Sequence, residues 1–225
     1  MKINYCLPII NKNKNEILQI IADYKNVYHY FEVWLDYVEN VDEKFIKKLM
    51  TLVPKKLIIL FRRKNLELTR MNLAKRQAII LLISNAHTYL DLDLSQQEEI
   101  NFIKTNNINC KLIISYHNYR ETPDDEILQE IIKEMTEVKP LIYKLATYCK
   151  SEADALHLLQ LQSILKKRGK KHIILGMGKF GTITRVYGTL WGNEMIFAPI
   201  DKNEESAPGQ MTKKELKKIF ETLNT

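Results

Sequence analysis

The sequence predicts an α/β fold, a single-domain (β/α)8 TIM barrel, in which eight parallel strands lie inside a ring of helices. Short apolar runs alternate with amphipathic segments eight times along the 225 residues, and such regular alternation favours parallel strands joined by crossover helices. No linker rich in proline, glycine or serine divides the chain, so residues 1–225 are predicted to form one domain. A doubly wound open sheet is the alternative arrangement.

The strands are predicted from short runs that are rich in apolar, β-branched and aromatic residues. In chain order these runs cover 3–10, 29–35, 56–61, 87–92, 110–116, 138–145, 171–177 and 194–199.

The helices are predicted from segments in which apolar residues recur at helical spacing. They cover 14–24, 42–52, 66–84, 95–106, 124–135, 151–168, 182–189 and 211–222. Four of them begin with capping signals, namely Asp42, Ser95 with Glu98, the pair Thr122-Pro123, and Ser151 with Asp154.

The composition indicates a soluble globular protein, with 45% hydrophobic and 27% charged residues. No run approaches the roughly 20 apolar residues that span a bilayer, and the N-terminus lacks a signal-peptide cleavage pattern, so no membrane association is expected. The three cysteines, Cys6, Cys110 and Cys149, are widely spaced. They support neither a zinc site nor a disulfide framework, and we expect a reducing, cytoplasmic setting.

The net charge of +7 raises the question of a nucleic-acid partner. The basic residues are scattered, however, mostly at helix ends or just before strands, where solvated lysine is ordinary. We therefore predict no nucleic-acid binding, and an anionic small-molecule substrate would suit the charge equally well.

Polar side chains gather where the predicted strands end. Ligand chemistry in a (β/α)8 barrel takes place at the carboxyl ends of the strands, and a barrel would bring these side chains together: Glu32, Arg62, His117, Lys144, Arg185 and Gln210. Each residue alone has an ordinary structural explanation, as an ion-pair partner or a solvated loop residue. Jointly they favour a catalytic site above an apolar core.

Lys144 is the residue on which the chemical prediction depends, because it lies inside an apolar strand. Desolvation there is expected to lower the pKa of its ammonium group and to leave some neutral amine, which can attack a ketone and form a Schiff base. The alternative is a lysine whose charged tip reaches water. An iminium would acidify the neighbouring C–H bond, and His117 could remove that proton. The outcome would be β-elimination of water or a retro-aldol cleavage.

A carboxylate-binding arm is predicted from Arg185 together with Ser206 and Gln210, because charge-assisted hydrogen bonds hold such anions. The Pro208-Gly209 turn is predicted to belong to a lid that closes over the anion.

The segment GMGKFG at 176–181 matches the G-x-G-x-x-G pattern of dinucleotide-binding folds. We reject that interpretation because the segment lies in the seventh unit, and because the acid about 20 residues on, Asp201, falls in a loop. A tight turn at the mouth of the barrel explains the glycines as well.

Six segments together resemble the type I 3-dehydroquinate dehydratase family over essentially the whole chain. They read FEVWLD at 31–36, LFR at 60–62, SYHNY at 115–119, YKLA at 143–146, GMGKFGTITR at 176–185 and SAPGQ at 206–210.

The resemblance implies a lyase, usually a homodimer, that converts 3-dehydroquinate to 3-dehydroshikimate in the shikimate pathway of aromatic amino-acid biosynthesis. It implies that Lys144 forms the Schiff base and that His117 is the general acid/base. It further implies that Glu32 and Arg62 contact ring hydroxyls, that Arg185, Ser206 and Gln210 hold the carboxylate, and that Met177 packs near the lysine. No metal and no organic cofactor is expected.

Three positions depart from the family pattern. The family has an arginine where this chain has Trp34, which shares a strand face with Glu32. Many relatives carry a loop glutamate that hydrogen-bonds the histidine, whereas here Glu67 lies out of register, and Asn118 replaces an aspartate often seen after the histidine. A catalytically impaired homologue, or a class I Schiff-base aldolase for another hydroxy keto acid, are therefore the alternatives.

Overall fold

Eight parallel strands alternate with eight α-helices in the computed structural model, which describes residues 3–223. The strands are β1 Tyr5–Ile9, β2 Tyr30–Trp34, β3 Leu57–Leu60, β4 Tyr89–Asp93, β5 Lys111–Asn118, β6 Ile142–Tyr148, β7 His172–Met177 and β8 Ile196–Phe197. The helices are α1 Lys14–Tyr24, α2 Glu43–Leu52, α3 Leu73–Ile83, α4 Gln97–Thr105, α5 Asp125–Val138, α6 Glu152–Lys167, α7 Gly178–Trp191 and α8 Lys213–Leu223. The first and last residues of the predicted domain, 1 and 225, lie outside the described range.

The strands form one eight-stranded sheet in the order β7-β6-β5-β4-β3-β2-β1-β8, and all the pairs in it are parallel. The segment before β8 bridges the remaining gap to β7. The backbone N–H of Glu194 donates to the carbonyl of His172 at 2.9 Å, and the Asn193 amide bonds the backbone of Ile174. The sheet is thus a nearly closed barrel, as the sequence predicted, and not an open doubly wound sheet.

Local capping chemistry sets several helix boundaries. Asp42 accepts from the backbone N–H of Phe45, and Ser151 forms a capping box with Asp154, as predicted. The prediction for Ser95 was wrong: its hydroxyl donates to Asp93, and Gln96 stands at the N-cap of α4 without a side-chain capping bond to the helix. The cap of α5 is Asp124, not Thr122.

Two helices and one strand differ from their predicted bounds for backbone reasons. Helix α3 begins at Leu73 and not at 66, because Asn65 and Leu66 have positive φ and interrupt the helix. Helix α5 continues to Val138 and ends at Lys139 in the left-handed region, so β6 begins only at Ile142. Lys144 consequently lies well inside β6.

Helix α7 begins at Gly178, directly after β7, and not at 182 as predicted. The glycine pattern here serves close packing, because a Cβ on Gly176 would lie 2.6 Å from the Cα of Gly181. Gly178 has a φ of +77°. The glycines therefore let α7 turn tightly onto the end of β7.

Hydrophobic side chains fill both the barrel interior and the layer between strands and helices, as in a packed barrel core. Among residues 3–223, no helix is long and apolar enough to cross a membrane.

Candidate active site

All the predicted site residues line one cavity at the carboxyl ends of the strands. They are Glu32, Arg62, His117, Lys144, Met177, Arg185, Ser206 and Gln210. Each of them is buried, with at most 7% of its surface exposed. The barrel therefore brings together side chains that are up to 178 positions apart (from 32 to 210) in the sequence.

Lys144 projects from β6 into this cavity and is 4% exposed. Its ammonium nitrogen donates to Glu32 Oε1 at 2.9 Å and to Asp91 Oδ2 at 2.7 Å. The same nitrogen lies 4.3 Å from the centre of the Phe197 ring. The amine is thus held among two carboxylates and an aromatic face, away from bulk water.

The prediction of a lowered lysine pKa was wrong for this state of the site. Burial alone would lower the pKa of Lys144, but Asp91 and Glu32 outweigh burial and raise the pKa above its ordinary value. The burial of Lys144 is evident from the sequence, whereas its contacts with the two acids arise only in the folded barrel. Lys144 is therefore an ammonium in the closed site and must lose a proton before it can attack a carbonyl.

Asp91 is the centre of the buried charge network, and sequence reasoning did not select it. Besides Lys144, its carboxylate accepts from the Ser115 hydroxyl at 2.6 Å and from Arg62 Nη1 at 3.4 Å. Burial alone would raise the pKa of Asp91, but Lys144 and Arg62 outweigh it and hold the pKa well below its ordinary value. The sequence did contain a signal for this role. Asp91 and Asp93 lie two positions apart in a buried strand, so both side chains face the same side of the sheet.

His117, near the end of β5, pairs with Asp93 on β4. Its Nδ1 lies 2.8 Å from Asp93 Oδ2, and its ring stacks on Tyr119. Burial and the positive charge of Arg62 lower the pKa of His117 below its ordinary value despite Asp93. The imidazole is therefore neutral near neutral pH, as a general base must be.

Trp34 lies on the same strand face as Glu32, as the sequence parity indicated. Its indole Nε1–H donates to Glu32 Oε2 at 2.9 Å, and the Arg62 guanidinium lies 5.6 Å from its ring centre. Both oxygens of Glu32 are thus engaged, one by the indole and one by Lys144. In this closed state Glu32 is chiefly a partner of the lysine.

Arg185 on α7 is 1% exposed and has hydrogen-bonding capacity to spare. Its Nη2 donates to the Pro208 carbonyl at 3.4 Å, whereas Nε and Nη1 have no partner among the described residues. Burial lowers the pKa of Arg185 to about 10, so it remains charged at neutral pH. Because buried polar groups are normally hydrogen-bonded, the unpaired donors of Arg185 are expected to bind an anion.

The segment that carries Ser206 and Gln210 closes the cavity. The Gln210 amide donates to the Ser206 hydroxyl at 2.8 Å and accepts from the Ser206 backbone at 2.9 Å. Gly178 N–H donates to the Pro208 carbonyl at 3.2 Å, which ties the segment to the start of α7. The enclosed cavity measures only about 30 Å³, room for a water molecule or two. A six-membered ring does not fit this volume unless the segment or the surrounding side chains rearrange.

No group of three histidine, cysteine, aspartate or glutamate side chains within residues 3–223 is arranged to hold a metal ion.

A (β/α)8 barrel that gathers buried lysine, histidine, arginine and carboxylate side chains at this end has the architecture of a barrel enzyme. The family model of type I 3-dehydroquinase matches residues 5–225. The chain belongs to this family, and it is an enzyme of the dehydratase class, a carbon–oxygen lyase.

Curated relatives agree with this assignment. The chain is 29% identical to a 3-dehydroquinate dehydratase of Methanococcus maripaludis strain C7, over 97% of this chain and 99% of the relative. It is 28% identical to that of Coxiella burnetii strain CbuK_Q154, over 96% of this chain and 91% of the relative.

Solved structures of the same enzyme share the fold. The crystal structure of 3-dehydroquinate dehydratase from Geobacillus kaustophilus HTA426 superposes with a TM-score of 0.85 at 22% identity, covering 100% of this chain and 92% of that one. The type I enzyme from Clostridium difficile, solved with covalent modified comenic acid, gives a TM-score of 0.82 at 26% identity, covering 99% and 92%.

Proposed function

We propose that this enzyme dehydrates 3-dehydroquinate to 3-dehydroshikimate through a Schiff base on Lys144. The observation that carries the proposal is one closed cavity that holds a buried lysine, a neutral histidine and a buried arginine with unpaired donors. Family membership favours elimination of water over aldol cleavage. The C. difficile relative, whose structure contains a covalent modification, lends further support to a covalent mechanism.

The first step is formation of the imine. The Lys144 ammonium must give up a proton, and Glu32 and Asp91 are the acceptors in contact with it. The neutral amine then attacks the ketone carbon and a water molecule leaves, which produces a protonated iminium. The iminium draws electrons from the neighbouring carbon and makes its C–H bond more acidic.

His117 performs the proton transfers that follow. As a neutral imidazole it removes the C2 proton, and the electron pair moves toward the nitrogen to give an enamine. When the enamine collapses, the C–O bond to the β-hydroxyl breaks and the imidazolium protonates the leaving oxygen as water. Hydrolysis of the conjugated iminium releases the enone and regenerates Lys144.

Binding of the substrate divides the cavity into two regions. The substrate carboxylate pairs with Arg185, with Ser206 and Gln210 completing the arm. Ring hydroxyls lie toward Arg62 and Glu32, where Trp34 supplies an apolar wall, and Met177 lines the cavity with the lysine. The lid segment opens for entry and then excludes water from the imine.

The test of this function is incubation with 3-dehydroquinate, with and without borohydride. We expect absorbance to grow from the conjugated enone, and a reduced adduct whose mass gain maps to Lys144. A preparation that gives neither the enone nor an adduct would defeat the proposal. Adduct without enone would indicate a catalytically impaired homologue.

Arg185→Gln is expected to weaken binding of the substrate. Loss of charged hydrogen bonds to a carboxylate costs about 1.5–3 kcal/mol, so KM is expected to rise by roughly 10- to 150-fold, with a smaller change in kcat. Steady-state kinetics measures both. The control is Lys179→Gln, which removes an exposed cation from the same helix and should leave KM unchanged. An equal KM in wild type and Arg185→Gln would refute the carboxylate-binding role.

We also propose that the chain acts as a cytoplasmic homodimer, as its family resemblance implies. An exposed apolar stripe on α7, formed by Ile183, Tyr187 and Trp191, supports association. Light scattering of the purified protein measures the mass in solution, and a mass of one 26.5 kDa chain at micromolar concentration would reject the dimer.

A further inference from the structure

We propose that Asp93 is the positioning residue of His117, and that it takes over the task of the loop glutamate that this chain lacks. The inference rests on the proposed function, because it assigns a role within the same proton transfers. The family's loop glutamate has no clear counterpart in this sequence, because Glu67 in the β3–α3 loop lies out of register.

The contact between Asp93 and His117 is direct and buried. The carboxylate Oδ2 lies 2.8 Å from Nδ1, and the two side chains are 4% and 6% exposed. Although burial raises the pKa of Asp93, the hydrogen bond and charge of His117, together with Arg62, hold it below its ordinary value. An ionised carboxylate can only accept, so Nδ1 carries the hydrogen and Nε2 keeps the lone pair that a general base needs.

Asp93 is itself held in place. Its Oδ1 accepts from the Ser95 hydroxyl at 2.7 Å and from the Ser95 backbone N–H at 3.1 Å. The backbone N–H of Asp93 donates to Gln96 Oε1 at 2.9 Å. The unexpected use of Ser95, which does not cap α4, is thus explained, because Ser95 fixes the carboxylate that orients the histidine.

Glu67, the glutamate of the β3–α3 loop, is engaged by another residue. Glu67 is exposed, and its carboxylate accepts from Arg63 Nε at 3.1 Å. The two residues that precede it, Asn65 and Leu66, have positive φ, and Leu66 is exposed. The segment therefore runs along the surface and leaves the side of His117 to Asp93.

The charged neighbours of His117 determine in which direction its pKa changes when Asp93 is replaced. Arg62 on one side and Lys144 on β6 lower its pKa, and Asp93 is the neighbour that raises it. Tyr119 stacks on the ring without a charge at neutral pH. Removal of the Asp93 charge should therefore shift the acid limb of the kcat/KM profile to lower pH.

A second cavity borders Asp93, although only 4% of the Asp93 side chain is exposed. It measures about 670 Å³, and its lining includes Asp93, Arg62, Arg76, Ser95 and Gln96. A small carboxylate such as formate fits a space of this size. The carboxylate of Asp93 can therefore be deleted and then supplied from solution.

The experiment compares Asp93→Asn with Glu67→Gln in the intact enzyme. Asn has the same shape but no charge and can stabilise the wrong tautomer, so kcat is expected to fall by about 10²- to 10⁴-fold with little change in KM. Borohydride trapping on Lys144 should persist in Asp93→Asn. Glu67→Gln should keep the wild-type kcat and pH profile. A kcat for Asp93→Asn within threefold of wild type, or an equal loss in Glu67→Gln, would overturn the inference.

Chemical rescue separates positioning from a structural role. Asp93→Ala should regain turnover with added formate, in a saturable manner, whereas the double variant Asp93→Ala/His117→Ala should not. If formate restores no turnover to a folded Asp93→Ala, the positioning role is rejected. Wild-type enzyme that forms no enone would count against the proposed function, whereas a deficit confined to the Asp93 variants bears on this inference.

Discussion

Turnover of 3-dehydroquinate is expected to fall by at least about 10⁴-fold when Lys144 is replaced by methionine, and borohydride trapping is expected to vanish. The side chain keeps its approximate volume but loses the amine that the proposed mechanism requires. The same change should also destabilise the fold by about 3–5 kcal/mol, because Glu32 and Asp91 would remain buried without their cation. Enone absorbance, trapped mass and denaturant unfolding are the three measurements.

Lys144→Arg is the matched control, because it separates the nucleophile from the charge. A guanidinium still neutralises the two carboxylates but has no neutral amine near physiological pH, so this variant should be inactive and untrappable yet more stable than Lys144→Met. Turnover in Lys144→Arg comparable to wild type would show that the amine is not the nucleophile. Equal stability of the two variants would show that the ion pairs contribute little to folding.

The fold could be predicted because the helix caps, the apolar periodicity and the apolar strands all indicate the same alternation of strands and helices. Asn13 and Asp42 cap helices at the positions where the apolar period of α1 and α2 starts, and a strand such as β3, which reads LIIL, is wholly apolar. The errors lie where backbone conformation overrides the pattern. The positive φ of Asn65 delays α3, and the left-handed Lys139 ends α5 and delays β6.

The sequence predicted which side chains would meet in one cavity, but not the electrostatics of that cavity. Lys144 and His117 stand out because they are polar residues within apolar strands, and Arg185 stands out because it follows the glycine-rich turn after β7. Their protonation depends on distances across the barrel, which one sequence does not contain. Asp91 on β4 reaches Lys144 on β6 across the single intervening strand β5. With Glu32 it reverses the direction of the pKa shift of Lys144, so the proposed mechanism requires release of the amine from an ion pair.

This ion pair connects substrate binding with the proposed chemistry. Glu32 has its two oxygens on Trp34 and Lys144, so a ring hydroxyl that approaches Glu32 competes with the ammonium. Substrate binding would thereby loosen the lysine at the moment when it must lose its proton. The family has an arginine at position 34, which would be a further cation near Glu32. Trp34 is uncharged, and its hydrogen bond to Glu32 leaves the other carboxylate oxygen paired with Lys144.

His117→Ala is expected to lower kcat by about 10²- to 10⁴-fold, the usual contribution of a general acid/base, while an adduct on Lys144 can still be trapped. Loss of the imidazole stops proton removal from C2 but leaves the amine in place. Because burial and Arg62 lower the pKa of His117, the acid limb of kcat/KM in the wild type should lie below the ordinary histidine value of about 6.5. That limb should disappear in the variant.

His172→Asn is the control for loss of a buried histidine. His172 is also on a strand and 2% exposed, but it lies at the start of β7 and its Nδ1 bonds the Lys170 carbonyl at 2.7 Å. We expect this variant to lose some stability and to keep the wild-type kcat and pH limb. If His117→Ala turned over as fast as His172→Asn, proton transfer would have to be assigned to another group, and Asp93 would lose its partner in the mechanism.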